Sequence, residues 1–128
     1  MHRSRLSTFV IDCKDGDIEQ AATFWSAALG RSVKRESPED PKYRTLEMQD
    51  DEVLVMVQKV DHESRIHLDI ETDDIDAEVA RLEALGAKRV EKIKTWWVMQ
   101  APTGQKFCVV RPQRQPLDQL PSANTWGK

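Results

Sequence analysis

The chain has 128 residues, 39% of them hydrophobic and 32% charged, with a net charge of -3. That length suits one domain with a real core, and charges of both signs are interspersed, which argues against nucleic acid and an anionic membrane as main partners, since both need a clustered positive surface. No apolar run approaches membrane-spanning length, no signal peptide is expected ahead of the strand pattern that follows Met1 to Arg5, and Cys13 and Cys108, without a close-spaced motif, point to reduced thiols in the cytoplasm.

In chain order, Leu6 to Cys13 is rich in β-branched and apolar residues and predicts a first strand. Asp17 and Gln20 have capping-box spacing. Ile18, Ala21, Ala22, Trp25, Ala28 and Leu29 recur at helical spacing up to Gly30, a helix stop. Ser32 to Glu36 predicts a short strand, Ser37 to Pro41 a polar loop, and Tyr43 to Met48 with Val53 to Val60 a hairpin across Gln49-Asp50-Asp51. Ile66 to Glu71 predicts a strand whose alternation puts His67, Asp69 and Glu71 on one face and Ile66, Leu68 and Ile70 on the other. Thr72-Asp73-Asp74 caps a second helix with Ile75, Val79, Leu82 and Leu85 as its buried stripe and Gly86 at its end. Lys88 to Lys92, Trp96 to Gln100 and Lys106 to Arg111 predict three more strands, the last two joined by the turn Ala101-Pro102-Thr103-Gly104. Residues 113–128 have prolines and little periodicity. They predict an irregular tail without a strand, laid across the domain surface or across a dimer partner with Trp126 as anchor.

The two halves nearly repeat. Val10-Ile11-Asp12, followed by Asp17-Ile18, stands 57 residues before His67-Leu68-Asp69, followed by Asp74-Ile75, and Ala28-Leu29-Gly30 recurs as Ala84-Leu85-Gly86. The expected fold is α+β: two tandem βαβββ modules, about 6–60 and 65–112, forming curled mixed sheets around a cleft of the kind that binds small molecules.

Three segments carry a family resemblance: Phe24-Trp25-Ser26-Ala27-Ala28-Leu29-Gly30, Arg65-Ile66-His67-Leu68-Asp69-Ile70 with the acidic helix start, and Trp97 to Val110 with its Pro-x-Gly turn. In this order, over about residues 6–112, the chain resembles the glyoxalase/bleomycin-resistance/extradiol-dioxygenase (vicinal oxygen chelate) superfamily, in particular its compact glyoxalase-like domains. The resemblance implies four metal-ligand positions, usually two His and two Glu, one each on strands one, four, five and eight. His67 matches the fifth-strand ligand, Val10 the first and Cys108 the eighth, while Val53 to Val57 offers no carboxylate for the fourth. One imidazole and one thiolate cannot hold Mg²⁺, Mn²⁺ or Fe²⁺, and zinc would need further ligands. No metal and no cofactor is therefore expected.

Each candidate residue keeps a plain reading beside the functional one. His67 is a candidate general base or ligand anchor, or an inherited cleft histidine held by hydrogen bonds. Asp69 and Glu71 are candidates to orient it. Asp12 and Asp69 either present two carboxylates to one cavity or form a structural pair. Cys108 is a nucleophile or a small buried side chain. Trp96 and Trp97 divide between cleft wall and core, and Trp25 belongs to the core. The expected function is metal-independent binding of an organic, partly apolar or aromatic ligand by Val10, Asp12, Met56, His67, Asp69, Trp97 and Cys108. The alternatives are a lyase or isomerase with His67 as base and Asp69 as its catalytic partner, or a protein-interaction module. A cytoplasmic homodimer is the candidate assembly.

Overall fold

The computed structural model describes residues 1–34 and 41–127. The expected loop at 37–41, apart from Pro41, and the end of the expected strand at 32–36 lie outside the described residues. The elements are β1 (His2–Cys13), α1 (Ile18–Leu29), β2 (Tyr43–Thr45), β3 (Leu54–Lys59), β4 (Arg65–Thr72), α2 (Ile75–Ala84), β5 (Lys88–Ile93), β6 (Trp96–Gln100), β7 (Lys106–Val110), a 3₁₀ turn at Leu117–Gln119 and β8 (Asn124–Trp126). The fold is α+β, built on the expected pair of βαβββ modules. They form two compact units, residues 8–67 and residues 1–7 with 68–128. No helix among the described residues is long and apolar enough to cross a membrane.

In the 8–67 unit, β1 pairs in parallel with β3, and β2 runs antiparallel to β3. The helix starts where the sequence says it should. Asp17 accepts from the Gln20 amide while the Gln20 side chain accepts from the Asp17 amide, so two orphan donors are satisfied. Gly30, at φ 68°, closes it in the left-handed region. The expected strand at 32–36 shrinks to a single bridge, Val33 with Leu46. Ile11, Ala22, Leu46, Val55 and Val57 form the core under α1, with Trp25 and Cys13 packed on its edge. Phe9, Phe24 and Ile66 stay exposed in this unit, Phe24 at 62% and Ile66 at 60%.

In the other unit, β4 pairs in parallel with β7, and β7, β6 and β5 follow as antiparallel neighbours. Val79, Leu82, Met99 and Val109 form its core, with Ile70, Ile75, Phe107 and Trp97 against it. Two expectations are corrected here. Trp97 does not line a cleft: it is the register partner of Val109, packs on the α2 side, and lies under the Arg89 guanidinium, 5.1 Å from its ring centre. The tail is not strand-free, because Asn124–Trp126 pairs antiparallel with His2–Ser4. The anchoring of the tail is as expected. Leu117 is buried, the Trp126 indole donates to Ser4 Oγ at 2.8 Å, and Arg81 stacks 4.0 Å over its ring.

Candidate functional site

In the 8–67 unit the sheet face away from α1 gathers several of the candidate side chains. Strand register sets which residues share it. Thr8, Val10 and Asp12 stand beside Leu54, Met56 and Gln58, and Met56 and Gln58 stand beside Thr45 and Tyr43. Residues paired across neighbouring strands point to the same side, so Asp12, Gln58 and Tyr43 form one polar row and Val10, Met56 and Thr45 the next. The Gln58 amide donates to the Tyr43 hydroxyl at 2.9 Å. Val10 and Asp12 are each 2% exposed.

Asp12 is the centre of this face. His67 Nδ1 lies 2.8 Å from Asp12 Oδ2, and the two side chains are only 14% and 1% exposed. A carboxylate accepts, so Nδ1 donates and the lone pair of the neutral ring sits on Nε2. Arg65 Nε stands 3.6 Å and His62 Nε2 3.9 Å from the same oxygen. The other oxygen, Oδ1, is buried with no hydrogen-bond partner among the described residues. The segment that brings these side chains in is tied down: Ser64 Oγ accepts from the Lys14 amide at 2.9 Å, and the His62 ring bonds the Glu63 carbonyl at 2.8 Å.

The expected residues divide accordingly. Val10, Asp12, Met56 and His67 share this face. The carboxylate bonded to the imidazole is Asp12, in the role offered to Asp69 and Glu71. Glu71 is engaged elsewhere, accepting from Arg5 at 3.1 Å and from the Gln113 amide at 3.2 Å. Asp69 and Cys108 are register partners in their own unit, and Trp97 stands apart on the helix side. Sequence reasoning passed over Arg65, His62, Tyr43 and Gln58. His62 sits in the segment ahead of β4 and Arg65 is the first residue of that strand, where no periodicity flags either. Tyr43 and Gln58 become visible as a pair only once the register of β2 and β3 is known.

The donor chemistry does not fit the hard divalent ion of the metal-dependent superfamily pattern. The strand positions that should supply oxygen ligands carry the buried aliphatic Val10 and, along β3, Val55, Met56 and Val57. None of these side chains offers the oxygen donors that such an ion takes. Cys13, on the other side of β1, is no ready nucleophile. Burial first, and then the Asp12 charge, push its thiol up from the ordinary value. Beside α1 lies a cavity of about 490 Å³ lined by Cys13, Gln20, Phe24, Trp25 and Ser64. Its aromatic wall is the edge-to-face pair Phe24–Trp25, with ring centres 5.0 Å apart, whereas the sequence reading assigned Trp25 to the core alone.

Residues 8–110 match a protein-family model described as a glyoxalase-like domain. No curated protein sequence matches the chain. Among solved structures, methylmalonyl-CoA epimerase from Mycobacterium tuberculosis is 17% identical, with 84% of this chain and 87% of that one covered at a TM-score of 0.63. A variant methylmalonyl-CoA epimerase of Streptomyces coelicolor, in complex with 2-nitronate-propionyl-CoA, is 17% identical over 88% of this chain and 98% of its own, with a TM-score of 0.57. A structure described as an NAD-dependent benzaldehyde dehydrogenase from Legionella pneumophila is 9% identical over 82% and 98%, with a TM-score of 0.62. Likeness at these identities concerns the fold.

Proposed function

The chain belongs to the glyoxalase-like domain family, and from that premise we propose that it is a metal-independent protein that binds a small organic ligand, with His67, held by Asp12, as the polar anchor. The observation that carries this reading is the 2.8 Å bond from His67 to a carboxylate whose side chain is 1% exposed. Desolvating a carboxylate is costly, and here it fixes an imidazole in one tautomer and one orientation. The row Asp12, Gln58 and Tyr43 adds an amide and a phenol to the same face, and Val10 and Met56 add apolar surface. A ligand with a carbonyl or acid group on an apolar body matches that mixture. Two free cysteines support a reducing, cytoplasmic setting. The exposed Phe24 and Ile66 support a homodimer, which light scattering would test.

Thermal shift against a panel of organic ligands tests the binding reading, since a ligand that binds only the folded state raises the melting temperature. Coenzyme A esters head the panel because a structural neighbour is complexed with one. We expect at least one ligand to raise the melting temperature of the wild type and to lose that effect with His67→Ala. Silence of the whole panel would overturn the reading in favour of a protein-interaction module. Elemental analysis should find no stoichiometric divalent ion, and one equivalent released on His67→Ala would overturn metal independence.

The Asp12–His67 pair also favours a second reading, a lyase or isomerase in which Nε2 takes a proton from carbon next to a carbonyl. Deuterium wash-in at C2 of methylmalonyl-CoA in D₂O, lost in His67→Ala, would support it, and no exchange above background would end it for this substrate.

A further inference from the structure

A second cavity, of about 920 Å³, lies wholly within the other unit. The β5–β6 hairpin, the start of α2 and the segment after β7 surround it. Five basic side chains line it against four carboxylates. Two of those carboxylates are committed. Asp73 accepts from the Arg3 amide at 2.8 Å and pairs with its guanidinium at 3.6 Å, and Asp74 caps α2 through the Ala77 amide at 3.0 Å. Lys92, Lys94 and Arg111, by contrast, are exposed and have no hydrogen-bond or ion-pair partner from their side chains among the described residues. Against the two remaining carboxylates, Asp76 and Asp118, these three cations leave the cavity with an excess of one positive charge, in a chain with a net charge of -3. Ile75 and Pro112 give the cavity an apolar side.

The hairpin adds an independent sign. Ile93 and Trp96 are register partners, so Lys94 and Thr95 form a two-residue turn. Lys94 sits at φ 53°, the only non-glycine residue with positive φ among the described residues. Glycine or asparagine suits that position better. A lysine held in a strained conformation on the lining of a cavity is the pattern expected where function outweighs local stability.

We propose that this cavity binds an organic phosphate, its anion met by Lys92, Lys94 and Arg111 and its body laid against Ile75 and Pro112. This site is built from the residues of one unit alone, and the proposal does not rest on the reading of the His67 face. Phenyl phosphate is the probe, followed by titration calorimetry and by chemical-shift changes, with phenol as the uncharged control. The wild type should bind phenyl phosphate at about 10 mM or below, the range of a weak single-anion site, and should bind phenol much less. Lys94→Asn is the diagnostic variant. It should melt at the same temperature as the wild type or higher, because the turn is relieved, yet bind phenyl phosphate about tenfold more weakly. Arg111→Ala should weaken binding to a similar degree, and His67→Ala should leave it unchanged. No binding by the wild type, equal binding of phenol, or undiminished binding by both Lys94→Asn and Arg111→Ala would overturn the proposal.

Discussion

Asp12 has one oxygen bonded to His67 and the other buried without a hydrogen-bond partner among the described residues. Truncating the imidazole leaves that carboxylate with Arg65 at 3.6 Å as its nearest named support. His67→Ala should therefore cost about 1–3 kcal/mol in urea unfolding, besides any effect on binding. Asp12→Asn tests orientation rather than stability. An amide offers the ring either a donor or an acceptor, so the neutral imidazole should populate both tautomers, where the wild type holds the proton on Nδ1. Nitrogen-15 shifts of the two ring atoms distinguish these cases, and a single unchanged tautomer would show that another group sets the ring. Cys13 gives a pH prediction of definite sign. Burial, assisted by the Asp12 charge, raises its pKa above the ordinary 9.0. It should alkylate more slowly than a free cysteine at neutral pH and accelerate only as the pH climbs past that value. His67 could be picked out of the sequence by its strand and by comparison of the halves. Its partner could not, because Asp12 lies 55 residues away and the nearer Asp69 and Glu71 fit the local pattern equally well.

Among the elements, the C-terminal strand is held by a charged cluster. Glu78 is fully buried on α2 and accepts from Arg81 in two bonds of 2.8 Å and from His2 Nε2 at 2.8 Å. Burial alone would raise this carboxyl. Hydrogen bonds from Arg81, His2 and Ser4 outweigh it and hold the group below its ordinary value. The sign follows: Glu78 contributes stability that is complete above the ordinary carboxylate value of 4.5 and is lost as the pH falls through the lower folded-state value. Urea unfolding of Glu78→Gln should accordingly show a shallower loss of stability between neutral and acid pH than the wild type. A parallel pair of curves would mean that other carboxylates govern the acid limb. Trp126→Ala removes both the Arg81 stack and the bond to Ser4, and should cost about 1–2 kcal/mol, a fall of roughly 3–10 °C in melting temperature. Trp126 as anchor was legible beforehand, but the strand and the charged cluster were not. β8 has three residues, too few for a period, and its partner strand lies at the other end of the chain. Trp97 failed for another reason. Two adjacent tryptophans must face opposite sides, but nothing in Trp96-Trp97 says which, and the bulge between Arg89 and Glu91 breaks the alternation that would otherwise carry across from β5. The helices were legible almost to the residue because Asp17, Gln20, Gly30 and Asp74 mark their ends with hydrogen-bond chemistry.

At the scale of the whole molecule, the doubled βαβββ pattern was readable because it is written twice, and each copy checks the other. The division into units was not, because β1 serves both: its first six residues belong to one unit and its last six to the other. The same strand brings the two ends of the chain side by side. His2 is the register partner of Trp126, and a Cβ placed on Gly127 would stand 3.6 Å from the Met1 Cα. The order in which the chain is read is therefore separable from the shape it takes. A circular permutant, joined from its present end to its present start by a short glycine linker and reopened at the exposed Asp50–Asp51 turn, should fold with the circular dichroism spectrum of the parent. If that permutant failed to fold while a second, reopened at Thr103–Gly104, succeeded, the β2–β3 hairpin would be marked as an element that must form from an unbroken chain.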